Sequence, residues 1–173
     1  KVVRLQQALA GDSGLRQGIG DGIRKDIEKN LVSELGGLVR FNASGNVAFD
    51  YITPSAEDSN GSYRPSQDHR NMAAGSGMTF HQHATTWKDA KYASPSGSMF
   101  GRGADISNAK IIASDGVVVT SLSEGKFAMH FYTDRGDVAF VGTFEYELPK
   151  KPPLGQFPAL SSPHKVIDCV VET

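Results

Sequence analysis

Apolar positions along the chain change period several times, and each change marks an element. Val3, Leu5, Ala8 and Leu9 recur at loose helical spacing within Lys1–Ala10, before Gly11, Gly14, Gly18 and Gly20 interrupt the pattern. Ile23, Ile27 and Leu31 then recur four residues apart, which predicts a helix with one apolar face. Asp21 is its expected N-cap and Ser33 its expected end, because Gly36 and Gly37 follow. Leu38–Phe41 and Val47–Ile52 carry strand patterning on either side of Asn42–Asn46, whose NASGN sequence is turn chemistry, so a hairpin is expected. Met78–His83 reads as a short strand and Asp105–Ala109 as the start of a short helix. Ile111–Ala113, Gly116–Thr120, Phe127–Tyr132 and Val138–Tyr146 predict a meander, turning at Asp115-Gly116, Glu124-Gly125 and Arg135-Gly136. Pro54 to Gly77 and Ala84–Gly103 read as long loops, a length that in compact domains usually signals function or disorder.

Helices, a hairpin, a strand, a short helix and further strands, in that order, predict a single α/β domain with a curved mixed β-sheet flanked by helices. The expected division is a helical N-terminal extension over residues 1–20, the domain proper over 21–148, and a Pro-rich C-terminal extension over 149–173. Val166–Val171 in that extension has the pattern of an edge strand. No internal repeat is visible.

Composition narrows the function classes. The 173 residues suit one domain able to bury its own core. With 39% hydrophobic and 21% charged residues, the chain has the balance of a globular protein. A formal net charge of -1, without runs of Lys or Arg, argues against nucleic acid as a partner. The lone Cys169 excludes a disulfide framework and any Cys-rich zinc site. No apolar stretch approaches the roughly 18–20 residues that cross a bilayer, and Lys1–Ala10 lacks the apolar core of a signal peptide. The first residue is not Met, which suggests a piece of something longer.

His81-Gln82-His83 is the sharpest local signal. Residues i and i+2 of a strand share a face, so two imidazoles there can occupy two corners of a tetrahedral zinc site. Two polar residues ending a strand are the plainer alternative, since isolated His-x-His pairs are common. A catalytic zinc needs a third protein ligand and an open position. Asp89 and Asp105 are the candidates, although Asp105, at a helix start, reads equally as an N-cap. A base is also needed, and Glu34 between a helix and the Gly36-Gly37 turn is a candidate. A carboxylate at a helix C-terminus opposes the helix dipole, which makes a purely structural role less natural there. His130 reads as a solvated or satisfied strand histidine, and His69 and His164 as surface loop residues. The glycines of Gly11–Gly22 lack the strand and the Gly-Lys-Ser/Thr of a phosphate loop.

Taken in order, Ser33-Glu34-Leu35-Gly36-Gly37-Leu38-Val39, His81-Gln82-His83 and Gly103-Ala104-Asp105-Ile106 resemble the JAMM (JAB/MPN) zinc metallopeptidases, in particular the bacterial toxin- and effector-associated branch. Ile111–Thr120 (IIASDGVVVT) is similar to the strand–turn–strand that follows the Asp in that branch. The resemblance covers roughly residues 20 to 145 and implies a JAB/MPN, cytidine-deaminase-like architecture. It implies that His81, His83 and Asp105 bind zinc, and that Glu34 orients and deprotonates the water that attacks a peptide or isopeptide carbonyl. It further implies a protein or peptide substrate, a cognate immunity or delivery protein, and secretion or delivery within a larger bacterial protein. Two positions depart from the family. Ala84 stands where Pro is frequent, and Arg102 stands where a Ser stabilises the developing oxyanion. Arg102 itself, Ser94, Ser96 or Ser98 are candidate replacements, and Trp87 a candidate pocket residue, more plainly a packing anchor.

Three alternatives stand beside this expectation. Gly75 followed by His81-Gln82-His83 matches the opening of a cupin motif, but Trp87 and Lys88 occupy the place of its glutamate. A zinc deaminase requires Pro-Cys-x-x-Cys, which one cysteine cannot supply. A catalytically inactive JAB-like interaction domain is favoured by Arg102.

Overall fold

The turn chemistry at Asn42–Asn46 organises the first hairpin. The computed structural model describes residues 1–28, 36–52, 71, 78–83, 95 and 104–150. In it the Asn42 side-chain oxygen accepts the Asn46 N–H at 2.7 Å, the Asn46 carbonyl accepts the Asn42 N–H, and Gly45 takes φ 86°. That left-handed conformation costs glycine little, and it lets β1 (Gly36–Phe41) fold back on β2 (Val47–Ile52). The same closure recurs between β5 (Lys126–Tyr132) and β6 (Val138–Glu145). There the Thr133 hydroxyl accepts the Asp137 N–H at 3.1 Å, and Gly136 donates to the Thr133 carbonyl.

With β3 (Met78–Gln82) and β4 (Asp115–Ser123), these strands make one mixed six-stranded sheet in the order β2-β1-β3-β4-β5-β6. Every pairing is antiparallel except β3 with β4. Register shifts at Ser121/Ser123 and Met129/His130 bend the strands, as bulges do, and contribute to the curvature of the sheet.

Helices cover both faces. On one, Leu5 and Leu9 of α1 (Val2–Gly11) and Ile19 and Ile23 of α2 (Ser13–Glu28) pack onto Val39, Phe80, Val117, Val119, Phe127 and Met129. Leu5, Leu9 and Ile19, from the stretch expected as an extension, thus share the main core. On the other face, Ile106 and Ala109 of α3 (Ala104–Ile112) meet Val118 and Tyr132. Val117, Val118 and Val119 are all inaccessible, as a strand covered on both sides requires. The fold is therefore α/β, not the all-β barrel of a cupin.

Three local expectations are corrected. The second helix begins at Ser13 rather than behind a cap at Asp21, because the Asp12 carboxylate accepts the Leu15 N–H at 3.0 Å and starts it earlier. Ile111 and Ile112 end α3 rather than forming a strand. Ala113 adopts φ 50° and the Ser114 N–H bonds back to the Ala109 carbonyl, a helix stop that β-branched composition does not reveal. Asp115-Gly116 consequently opens β4 and is not a turn. The expected edge strand at Val166–Val171, the tail, and the Pro54–Gly77 loop other than Asn71 lie outside the described residues. Among the described residues, no helix is long and apolar enough to cross a membrane.

β6, at one end of the sheet among the described strands, is tied to the helices through its backbone. Gln6 donates to the Val141 carbonyl at 2.9 Å and Arg16 to the Glu145 carbonyl at 3.2 Å. The Gln17 amide accepts the Glu147 N–H and donates to the Glu147 carbonyl. Close packing follows at Gly20, where an added Cβ would overlap the Tyr146 ring, whereas Gly18 faces open space. Gly18→Ala is therefore expected to raise stability by about 0.5–1 kcal/mol through helix propensity. Gly20→Ala is expected to lower it by about 1–3 kcal/mol through overpacking. Chemical denaturation of both variants checks this, and equal shifts of one sign would contradict the packing assigned to Gly20.

Candidate metal centre

Strand alternation in β3 sends Met78 and Phe80 toward α1 and α2, and Thr79 and His81 toward α3. Gln82, 1% exposed, points with Phe80, and its amide donates to the Ile19 carbonyl of α2 at 3.4 Å. The residue between the two histidines is thus an anchor for the helix layer. His81 sits centrally in the sheet, paired with Gly36 of β1 and Val118 of β4. His83 follows the strand end, but its N–H still bonds the Val119 carbonyl at 3.0 Å, which keeps it on the His81 face.

Asp105 arrives from the opposite direction. It lies in the first turn of α3, where the helix dipole favours a carboxylate. The packing of Ile106 and Ala109 on Val118 and Tyr132 holds that turn over β3. One carboxylate oxygen stands 3.3 Å from His81 Nε2 and the other 3.7 Å from His83 Nε2. The two imidazole rings are 5.5 Å apart at 60°. Ligand atoms of all three residues lie within 4.8 Å of one another, so this group can hold a metal ion.

The donor set can be tested against zinc. Tetrahedral bonds of about 2.0–2.1 Å place ligand atoms about 3.3 Å apart around zinc, close to both nitrogen–oxygen separations here. Two imidazoles and one carboxylate leave a position open, as catalytic sites do. The same donors also suit iron(II) as a facial triad, and elemental analysis distinguishes the two. The three side chains are 5%, 13% and 12% exposed, so their ligand atoms are largely screened from bulk water by protein.

A cavity of about 30 Å³ adjoins His81 and Asp105, bordered by Thr79, Asn108 and Tyr132. It has room for about one water molecule among polar groups. A larger depression of about 490 Å³ lies between the start of α2 and the end of β6. Its Arg16 and Gln17 are already engaged with backbone carbonyls, and no residue of the triad lines it.

Of the residues singled out from sequence, the structure brings together His81, His83 and Asp105. Glu34, Trp87, Asp89, Ser94, Ser96, Ser98 and Arg102 lie outside the described residues. His130 is partly buried with its ring 5.1 Å from that of Phe140, and it is not part of the triad. Thr120 was not anticipated, yet its hydroxyl lies 2.9 Å from His83 Nδ1. Its only sequence signal is a hydroxyl closing the apolar run Val117–Val119.

No family model, curated protein or solved structure matches the chain. The purified protein is expected to carry one metal ion per chain by elemental analysis. His81→Ala and Asp105→Ala should each abolish that uptake while preserving the fold. Unchanged metal content in both variants would remove this cluster from consideration.

Proposed function

We propose that the chain is a zinc-dependent hydrolase that cleaves peptide or isopeptide bonds, of the JAMM (JAB/MPN) kind. The observation that carries this reading is the convergence of His81, His83 and Asp105 on one point at the face of a buried sheet. Three protein ligands of this chemistry suit a site that retains an open position, which is what hydrolysis requires. The resemblance in motif order supports it independently, since the Glu34 segment, His-x-His and the Asp at a helix start follow in the family's sequence.

When bound, zinc supplies a Lewis acid that polarises a carbonyl and makes water more acidic. The protein's own residues divide the remaining work. His81, His83 and Asp105 fix the position of the ion, and the low exposure of His81 keeps bulk water from one side of it. Glu34 is the proposed general base, taking the proton of the attacking water and returning it to the leaving amine. In sequence it stands two positions before Gly36, the residue paired with His81 across the ladder. Arg102, two positions before the start of α3, is the proposed donor to the developing oxyanion where the family has Ser. The substrate is a protein or peptide, and a setting among delivered bacterial toxins or effectors, with a cognate immunity or delivery protein, follows from the resemblance alone.

Arg102 also favours a second reading, an interaction domain that holds the metal and has lost turnover. Loss of one oxyanion donor costs roughly 100- to 1000-fold in rate. The test is hydrolysis of fluorogenic peptide and isopeptide substrates by the metal-loaded protein beside Glu34→Gln. That variant should retain its metal and lose about 100- to 10,000-fold in rate, the range of a general base. A native rate in Glu34→Gln would exclude Glu34 as the base. A metal-loaded wild type without turnover would favour the interaction domain.

A further inference from the structure

The sheet places a hydroxyl behind one of the metal-facing histidines. Thr120 is fully inaccessible, sits on β4 beside the end of β3, and follows Val119, the register partner of Gln82. Its Oγ1 lies 2.9 Å from His83 Nδ1, while Nε2 of the same ring faces Asp105. A neutral imidazole carries one proton, and only the other nitrogen has the lone pair that a metal requires. The ring nitrogen on the Asp105 side is Nε2, so capture of an ion there demands the proton on Nδ1. Thr120 Oγ1 is positioned to accept a hydrogen bond from that N–H.

We infer that Thr120 is a positioning residue for metal capture: its buried hydroxyl holds His83 in the Nδ1-protonated tautomer and fixes the ring so that Nε2 faces the ion. The inference rests on the metal-centre reading and adds a residue to it. Partners of this type on a histidine's distal nitrogen set ring orientation and raise the basicity of the ligating nitrogen. Packing alone does not call for threonine here. Val117, Val118 and Val119 precede it in the same buried strand, and valine has nearly the same shape. The bond to His83 is one that valine cannot make.

The experiment compares zinc affinity, by competition with a chromophoric chelator, in the wild type, Thr120→Val and Thr120→Ser. Thr120→Val should bind zinc about 10- to 100-fold more weakly, as the loss of such partners typically does. Thr120→Ser, which keeps the hydroxyl, should hold the wild-type affinity. In the zinc-loaded wild type a proton–nitrogen correlation spectrum should show a protected His83 Nδ1–H that is lost in Thr120→Val. The melting temperatures of the metal-free proteins separate packing from positioning, and Thr120→Ala carries the same expectation if Thr120→Val does not fold. Equal zinc affinity in wild type and Thr120→Val overturns the inference and leaves the metal centre standing. Thr120→Ser binding as weakly as Thr120→Val also overturns it. A wild type that takes up no zinc overturns the metal centre, and the role of Thr120 with it.

Discussion

The parallel pairing of β3 with β4 is the constraint on which the rest of the structure depends. Antiparallel neighbours can be joined by a tight turn, but parallel neighbours need a connection that leaves the sheet and returns. Here the return includes α3, which lies on the face that His81 shares with Val118. One topological requirement therefore accounts for two features. It gives β4 its second covered face, and it suspends Asp105 above the histidine strand. The pairing register completes the arrangement by setting His83 beside Thr120.

Placing two imidazoles and a carboxylate in such a position has an energetic cost. Burial of polar groups is unfavourable unless they find partners, and His81 has almost no contact with solvent. The arrangement offsets this locally. Asp105 lies between the rings and at the positive end of a helix, and the outer nitrogen of His83 has the Thr120 hydroxyl. Gln82 faces the other way and joins the sheet to α2. The stretch His81-Gln82-His83 thus serves the site with its outer residues and the core with its middle one.

What was legible in the sequence was what local rules decide. The turn at Asn42–Asn46 carries its own hydrogen-bond acceptor and its own glycine, and both hairpin strands follow from it. His81 and His83 share a face because strand period demands it. Local preference fails where distant contacts override it. Of the glycines expected to interrupt the pattern, Gly11 does end α1, but α2 runs through Gly14, Gly18 and Gly20, and the Tyr146 ring lies against Gly20. Ile111 and Ile112 look β-prone in isolation, but α3 ends only at the left-handed Ala113. The start of a helix at Asp105 was legible, but its nearness to the histidines comes from a crossover that no local pattern encodes. Thr120 was invisible for a related reason, since its meaning comes from the register of a neighbouring strand.

The hydrogen bonds from Gln6, Arg16 and Gln17 to backbone carbonyls of β6 and Glu147 bear on how the sheet edge is protected. Exposed sheet edges invite pairing with other chains, and β6 ends the described sheet and comes last among its described strands in the chain. The side chains bonded to its backbone belong to α1 and α2, which precede every described strand of the sheet in the chain. The guard is therefore synthesised before the strand it protects. Once β6 is in place, its Val141 and Glu145 carbonyls already have amide and guanidinium donors from the same chain, and those carbonyls are not open to a strand from another molecule.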